Sequence, residues 1–387
     1  MENISMTRKP NWKVYVCKED IIIFFSLFFC FPLLGLKIIM PNLKYIYFII
    51  SLLFFVLMTF LLIRLKMALR IFLPLLLYLF AMANTIIQHG DVIQASSSLV
   101  SDLCPFFLVV TCISMGKRKE LIVNADGMFT IFMVVNAAHM ILTENGFGLT
   151  RANNNIFILG TDNSLMFFII VSVVVHELRK QICPVSLLRE IPYQVMIWYE
   201  LIRGEAATAI IVYSVMFLCL ILARKIQINR YFYTGCGLVA FLNVFLLFIR
   251  KMAFMEPIFA SLGKDITMST RTILWDKVIP VVESSFLFGY GISDNMWYIH
   301  HGKYLMEAHN MVLSYMLQGG IVLLVLFLLM VLTLGWKIRN SNSLTSRYLA
   351  VGIIAYLLVF LVESPSSVPG FYFLLALCQM EDYKFEQ

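Results

Sequence analysis

Two arginines and a histidine carry the chemistry most readily read from this chain: Arg203, Arg271 and His309. A guanidinium is always charged, and its fork matches two phosphate oxygens at once. An imidazole takes up a proton near neutral pH, which suits a general base acting on a hydroxyl. Two such cations and one such base fit a reaction in which a hydroxyl attacks and a phosphorylated group leaves. Taken singly, a loop arginine is as readily a solvated charge or a lipid-headgroup contact. A single histidine at a helix mouth is as readily an interfacial hydrogen-bonding residue. The weight lies in the combination and in the segment that carries it.

That segment runs from Phe254 to Gly320. It places about sixty residues between two apolar stretches, far more than a span connection needs, and long loops are usually functional. Trp275, Val278, Ile279 and Val282 fall on one helix face behind Arg271. Ser269 or Thr270 is placed to cap that helix, and Pro280 with Ser284-Ser285 is expected to limit it. Phe288-Gly289-Tyr290-Gly291 reads as a turn. An aromatic and polar stretch follows, with Asn295, Trp297, Tyr298, His300 and His301. The chain re-enters an apolar run at Glu307-Ala308-His309-Asn310, with Gly319-Gly320 further on. An amphipathic helix in such a loop is expected to lie in the membrane interface, with Arg271, His309 and Arg203 at one depth. Gly319-Gly320 is expected to let neighbouring helices approach closely.

The elements that must position these groups are set by composition. The chain has 387 residues, 60% hydrophobic and 14% charged, with 33 Phe and 22 Met, and a mean hydropathy of +0.85. Soluble domains carry about 25% charged residues, so an ordinary cytosolic enzyme is excluded, and so is a disordered chain. The apolar residues come in unbroken runs such as Val322–Leu334 rather than in alternation, which excludes a β-barrel. The expected fold is all-α: a single integral membrane domain over 1–387 with about 12 transmembrane helices. The expected spans are 20–40, 43–63, 71–88, 99–116, 125–143, 156–176, 187–202, 205–223, 231–249, 310–335, 348–363 and 366–380. The seventh and twelfth are the shortest, and a ten-span arrangement drops such a pair. The long extracytoplasmic loop covers 250–309.

Loop charge gives the orientation. Of the 30 Lys and Arg, twenty fall in the tails and alternate loops that this arrangement places inside, around Arg64, Lys117, Arg179, Arg224 and Lys337. Short outer loops hold four and the long loop six. Basic residues accumulate on the cytoplasmic side, so both termini are expected inside and the long loop outside. The net charge of +7 then follows from topology and calls for no nucleic acid. The basic N-terminal region runs into an apolar stretch with no small-residue cleavage site, which reads as a retained first span. No Cys-x-x-Cys occurs among the eight cysteines, and none lies in the long loop, so they read as buried apolar side chains.

The order Arg203-Gly204, Arg271-Thr-Ile-Leu-Trp275, Phe288-Gly-Tyr-Gly291, His309-Asn310 and Gly319-Gly320-Ile321 resembles the O-antigen ligase and Wzy-type polysaccharide polymerase superfamily. Ile202 stands where that pattern often has Ser, and Gln318 where it commonly has Glu. The resemblance implies a GT-C-like architecture in the bacterial cytoplasmic membrane. It implies metal-independent, inverting glycosyl transfer at the outer face, without a cofactor. The donor would be an undecaprenyl-diphosphate-linked oligosaccharide. The acceptor would be a second lipid-linked repeat unit, for a polymerase of O-antigen, capsule or exopolysaccharide, or lipid A core, for a ligase. Arg203 and Arg271 would bind the diphosphate, and His309 would act as general base. Trp275, Tyr290, Asn310 and Asp162 would contact glycan or line the cavity. Membrane lipid is an expected partner, as are a flippase and a chain-length regulator of the same pathway.

Two other readings compete. A transporter would use intramembrane polar groups such as Asp102, Asn136 with His139, Asp162-Asn163 and Asn243, which otherwise serve helix–helix hydrogen bonding. The two halves of the chain show no matching pattern to support it. A metal site would use Asp294, His300, His301, Glu307 and His309, but adjacent histidines rarely converge on one ion and no His-Glu-x-x-His spacing is present.

Overall fold

The computed structural model describes residues 18–31, 33–65, 68–143, 146–149, 155–161, 164–204, 206–248, 271–292, 298–300, 303–305, 308–365 and 367–378. Among the described residues ten α-helices precede the long loop: α1 (Lys18–Cys30), α2 (Leu34–Ile39), α3 (Pro41–Arg64), α4 (Ala68–Ile87), α5 (Val92–Ser114), α6 (Arg118–Leu142), α7 (Leu165–Ile182), α8 (Leu187–Arg203), α9 (Ala207–Ala223) and α10 (Phe232–Leu247). α11 (Arg271–Ser284) lies within the loop. α12 (Met311–Asn340), α13 (Leu344–Val359) and α14 (Pro369–Leu377) follow it. Two short antiparallel hairpins interrupt the helices, β1 (Ile156–Phe157) with β2 (Gly160–Thr161) and β3 (Tyr298–His300) with β4 (Lys303–Leu305).

Among the described residues five helices are long and apolar enough to cross a membrane: Tyr45–Arg64, Val92–Ser114, Arg118–Leu142, Ile228–Leu247 and Met311–Asn340. Three shorter helices, Phe72–Ile87, Ala207–Ala223 and Leu344–Val359, are also apolar. Burial sorts them. Of the apolar stretch of α5, 78% is buried, against 22% for α3. A helix apolar on all sides and buried is interior, whereas α3 turns Leu53, Leu57 and Phe60 outward, as a lipid-facing helix does. α5 packs against α3, α4 and α14, and α13 against α7, α9 and α10. Phe106, Phe107, Phe129, Phe371 and Phe373 fill the centre, none more than 1% exposed.

Several expected spans differ from the helices found. The first is two helices, parted between Cys30 and Leu34. The sixth begins at Leu165, because 156–161 form a hairpin whose Leu159 N–H donates to Asn136 Oδ1 at 3.0 Å. The twelfth is the nine-residue α14, about 14 Å long and too short for a bilayer of about 30 Å.

The ends of the bundle can be matched by contacts. Arg189 of α8 and His176 of α7 both reach Asp126 of α6, at 3.1 and 2.7 Å, so α6 and α8 start where α7 finishes. The Tyr356 hydroxyl of α13 donates to the Phe167 carbonyl at the start of α7. The chain leaves α13 beyond that point and reaches Glu363. Glu363 therefore shares an end of the bundle with the C-termini of α6 and α8. The opposite end holds a web of Asp126, His176, Glu177, Lys180, Arg189, Glu190 and Arg224.

Candidate active site

α12 begins at its cap. Asn310 is fully buried, and its Oδ1 accepts from Leu313 N at 3.0 Å, which satisfies one open donor of the first turn. Its Nδ2 donates to Asn243 Oδ1 on α10 at 2.7 Å and to the Leu361 carbonyl at 2.9 Å. Met311 N donates to the Phe360 carbonyl at 2.9 Å. One asparagine thus joins α10, α12 and the connection after α13. Expected as a glycan or cavity contact, Asn310 has every polar atom of its side chain engaged within the protein.

His309 precedes that cap with φ +47. A non-glycine residue there is uncommon, and the cost is borne where surrounding contacts fix it. Trp275 Nε1 donates to the carbonyl of Ala308, at 2.8 Å, so both neighbours of His309 are held.

Glu363 brings two of the expected groups together. Its Oε1 accepts from Arg271 Nη2, and its Oε2 lies 3.4 Å from His309 Nδ1. The side chains of His309, Arg271 and Glu363 are 35%, 22% and 12% exposed, so the trio is fixed from behind and open in front. A carboxylate accepts, so in a neutral His309 the proton sits on Nδ1, facing Glu363, and Nε2 is the basic nitrogen. Glu363 was not among the residues singled out from sequence. It lies 92 residues from Arg271 and 54 from His309, in a short connection with no motif around it.

Arg203 ends α8, half-buried, at the same end of the bundle. No described contact joins it to Glu363, Arg271 or His309. Asp162 lies outside the described residues, as do Asn163, Ser269, Thr270, Asp294, Asn295, Trp297, His301 and Glu307, and of His300 only the backbone is described.

The loop helix is placed differently from expectation. Trp275 and Val278 are fully buried, Val281 and Val282 nearly so, and they pack on Leu247, Ala308, Leu313, Met316 and Leu317. The apolar face of α11 is covered by protein rather than lying in a lipid interface. The helix continues through Pro280 to Ser284, with the proline on its exposed side. Trp275 has no ring surface left for a sugar and serves to hold Ala308. Tyr290 is half-buried, its hydroxyl shared with Ser284 Oγ at 2.6 Å and the Val281 carbonyl at 3.1 Å.

The two glycine motifs form one interlock. Gly319 and Gly320 leave helical geometry, with Gly320 at φ +62 and ψ −160, and so break α12. The turn at 286–291 fills the break. Tyr290 N and Gly291 N donate to the carbonyls of Leu317 and Gln318 at 2.6 and 3.0 Å, and Ile321 N donates to that of Phe286 at 2.9 Å. Asn84 of α4 adds Nδ2 contacts to Phe288 and Gln318 carbonyls at 2.6 and 2.8 Å. A Cβ on Gly320 would stand 2.2 Å from the Leu287 carbonyl. Gly319-Gly320 therefore receives a turn, rather than a neighbouring helix as expected.

Fold and site together define a multi-helix membrane protein with an arginine, a histidine and a glutamate gathered at one end of the bundle. Residues 195–328 match the family model described as O-antigen ligase, and the resemblance to the O-antigen ligase and Wzy-type polymerase superfamily holds over that stretch. The match includes Arg203, Arg271, His309 and both glycine motifs and stops before Glu363. No curated protein and no solved structure matches the chain.

Proposed function

We propose that the protein transfers a glycan from a polyprenyl diphosphate carrier to a sugar hydroxyl, extending lipid-linked repeat units. The observation that carries this reading is Glu363 bridging Arg271 and His309. The acceptor hydroxyl oxygen attacks C1 of the donor sugar as its proton passes to His309 Nε2. The bond from C1 to the phosphate oxygen breaks, and the electron pair leaves with the lipid diphosphate. Glu363 stabilises the imidazolium that forms, as a carboxylate does behind a general base. The Arg271 contact with Glu363 leaves its other guanidinium nitrogens for phosphate oxygens, and Arg203 is assigned to the same diphosphate. Charge on the leaving group is met by guanidinium rather than by metal. The reading sets the site on the outer face of the bacterial cytoplasmic membrane, both termini inside, with a flippase and a chain-length regulator as partners.

The family description favours a second reading, ligation of a finished chain to a lipid A core. The acceptor decides between them. Purified protein incubated with lipid-linked repeat units gives a ladder on a gel if it is a polymerase. A ligase leaves the repeats unjoined and consumes them only when core lipid is added. Activity that persists in EDTA supports the arginines. Loss in EDTA with recovery on adding a divalent ion overturns the metal-independent mechanism.

A further inference from the structure

Asp102 has no part in the chemistry above, yet it is a carboxylate 3% exposed in the interior of a membrane protein. Such a group is expensive and marks function more often than mere stability. All the hydrogen bonds described for it are accepted. Oδ2 takes the hydroxyl of Tyr78 from α4. Oδ1 takes both Ser367 Oγ at 2.8 Å and Val368 N at 2.6 Å. The last two belong to the connection between α13 and α14, which also carries Glu363.

That connection is held on both sides of Glu363. Upstream, Asn310 grips the Leu361 carbonyl at 2.9 Å. Downstream, the tie is Asp102. Between them Ser364 is buried, but cavities of about 30 and 50 Å³ flank the segment and Pro365 lines both. Where side chains leave such gaps, hydrogen bonds rather than contact fix the height of the backbone.

We propose that Asp102 is a positioning residue for Glu363, setting the carboxylate where it meets Arg271 and His309 together. This rests on the glycosyl-transfer reading. Misplacement of a reacting constellation by about 1 Å costs up to ~100-fold in rate, so the effect falls on kcat more than on substrate binding.

The test uses the full chain in lipid nanodiscs with lipid-linked repeat units. Ser367→Ala removes one donor and is expected to lower kcat about threefold to tenfold, with KM within about twofold and the melting temperature unchanged. Asp102→Asn keeps an acceptor for Ser367 and Val368 and should retain most of the activity. Asp102→Ala keeps none and should lose about 100-fold. A second readout needs no turnover. Cys183 is exposed rather than buried as expected, so Val362→Cys in a Cys183→Ser background is used and should react several-fold faster with a maleimide once Asp102 is Ala. Wild-type kcat in both Ser367→Ala and Asp102→Ala overturns the proposal. So does an unchanged Val362→Cys reaction rate, or a kcat loss that only tracks the melting temperature. A wild-type protein that transfers no glycan overturns the functional reading instead, and the labelling comparison then judges the placement of the segment by itself.

Discussion

The indole nitrogen of Trp275 donates to the carbonyl oxygen of Ala308 across 2.8 Å. A residue of the loop helix thereby holds the backbone immediately before His309. Trp275→Phe keeps the apolar bulk and leaves that carbonyl, on a residue 1% exposed, without its donor. An unsatisfied buried acceptor costs about 1–3 kcal/mol. The expected result is a lower melting temperature and a reduced kcat with KM little changed. Wild-type values for both would remove Trp275 from the support of the site.

His309→Ala should abolish transfer while donor lipid still binds, since donor binding is assigned to the arginines. His300→Ala should be mild. General-base catalysis contributes about 10²–10⁴-fold, so a full-length ladder from His309→Ala would end its role as base. An empty lane from His301→Ala alone would move the role of base to that residue.

Glu363→Gln keeps the shape of the side chain and removes its charge. Transfer should fall by about tenfold or more, because a neutral amide does not stabilise an imidazolium as a carboxylate does. Arg271→Lys should lose most activity too, since a point charge does not replace a bidentate fork. Rates measured on equal amounts of folded protein decide this, and unchanged rates in both variants would dismiss the pair.

The residues just discussed show what sequence conveys and what it withholds. Unbroken apolar runs revealed a helical membrane protein, because a backbone in lipid must satisfy itself. Arg271, His309 and the two glycine motifs were visible as residue types in order. Glu363 was not, because only folding brings its short connection to Arg271 and His309. Periodicity places Trp275 on the apolar face of α11 but does not report whether lipid or protein covers that face. The break in α12 was hidden because hydropathy continues across Gly319-Gly320.

Gly320→Ala should be severely destabilising. The added Cβ meets the Leu287 carbonyl carbon at 2.2 Å in a conformation with positive φ, and overpacking of this kind costs about 1–3 kcal/mol or more. Gly237→Ala in α10 is the control, with no atom within 4 Å of the new methyl. It should be neutral or stabilising by up to about 1 kcal/mol through helix propensity. Thermal melts of both variants in nanodiscs provide the comparison, and equal midpoints would contradict the interlock.

Asp126→Ala tests the far end of the bundle. It strips His176, Arg179 and Arg189 of a carboxylate that is 1% exposed. Breaking a buried pair from one side costs about 3–5 kcal/mol. The melting temperature should drop, while kcat per folded molecule stays near wild type because Glu363 lies at the opposite end. A kcat loss without loss of stability would contradict that separation.

The attachments of α11 also have a mechanical consequence. The helix is a rod of 14 residues, about 21 Å long, anchored at one end where the following turn grips the break in α12 and latched at the other where Arg271 meets Glu363. A rod so mounted converts small angles into travel: a swing of roughly 5° about the anchored end carries Arg271 through ~2 Å. Trp275 sits one turn from the latched end and donates to Ala308, so any tilt of the rod would reach Arg271 and the backbone before His309 together.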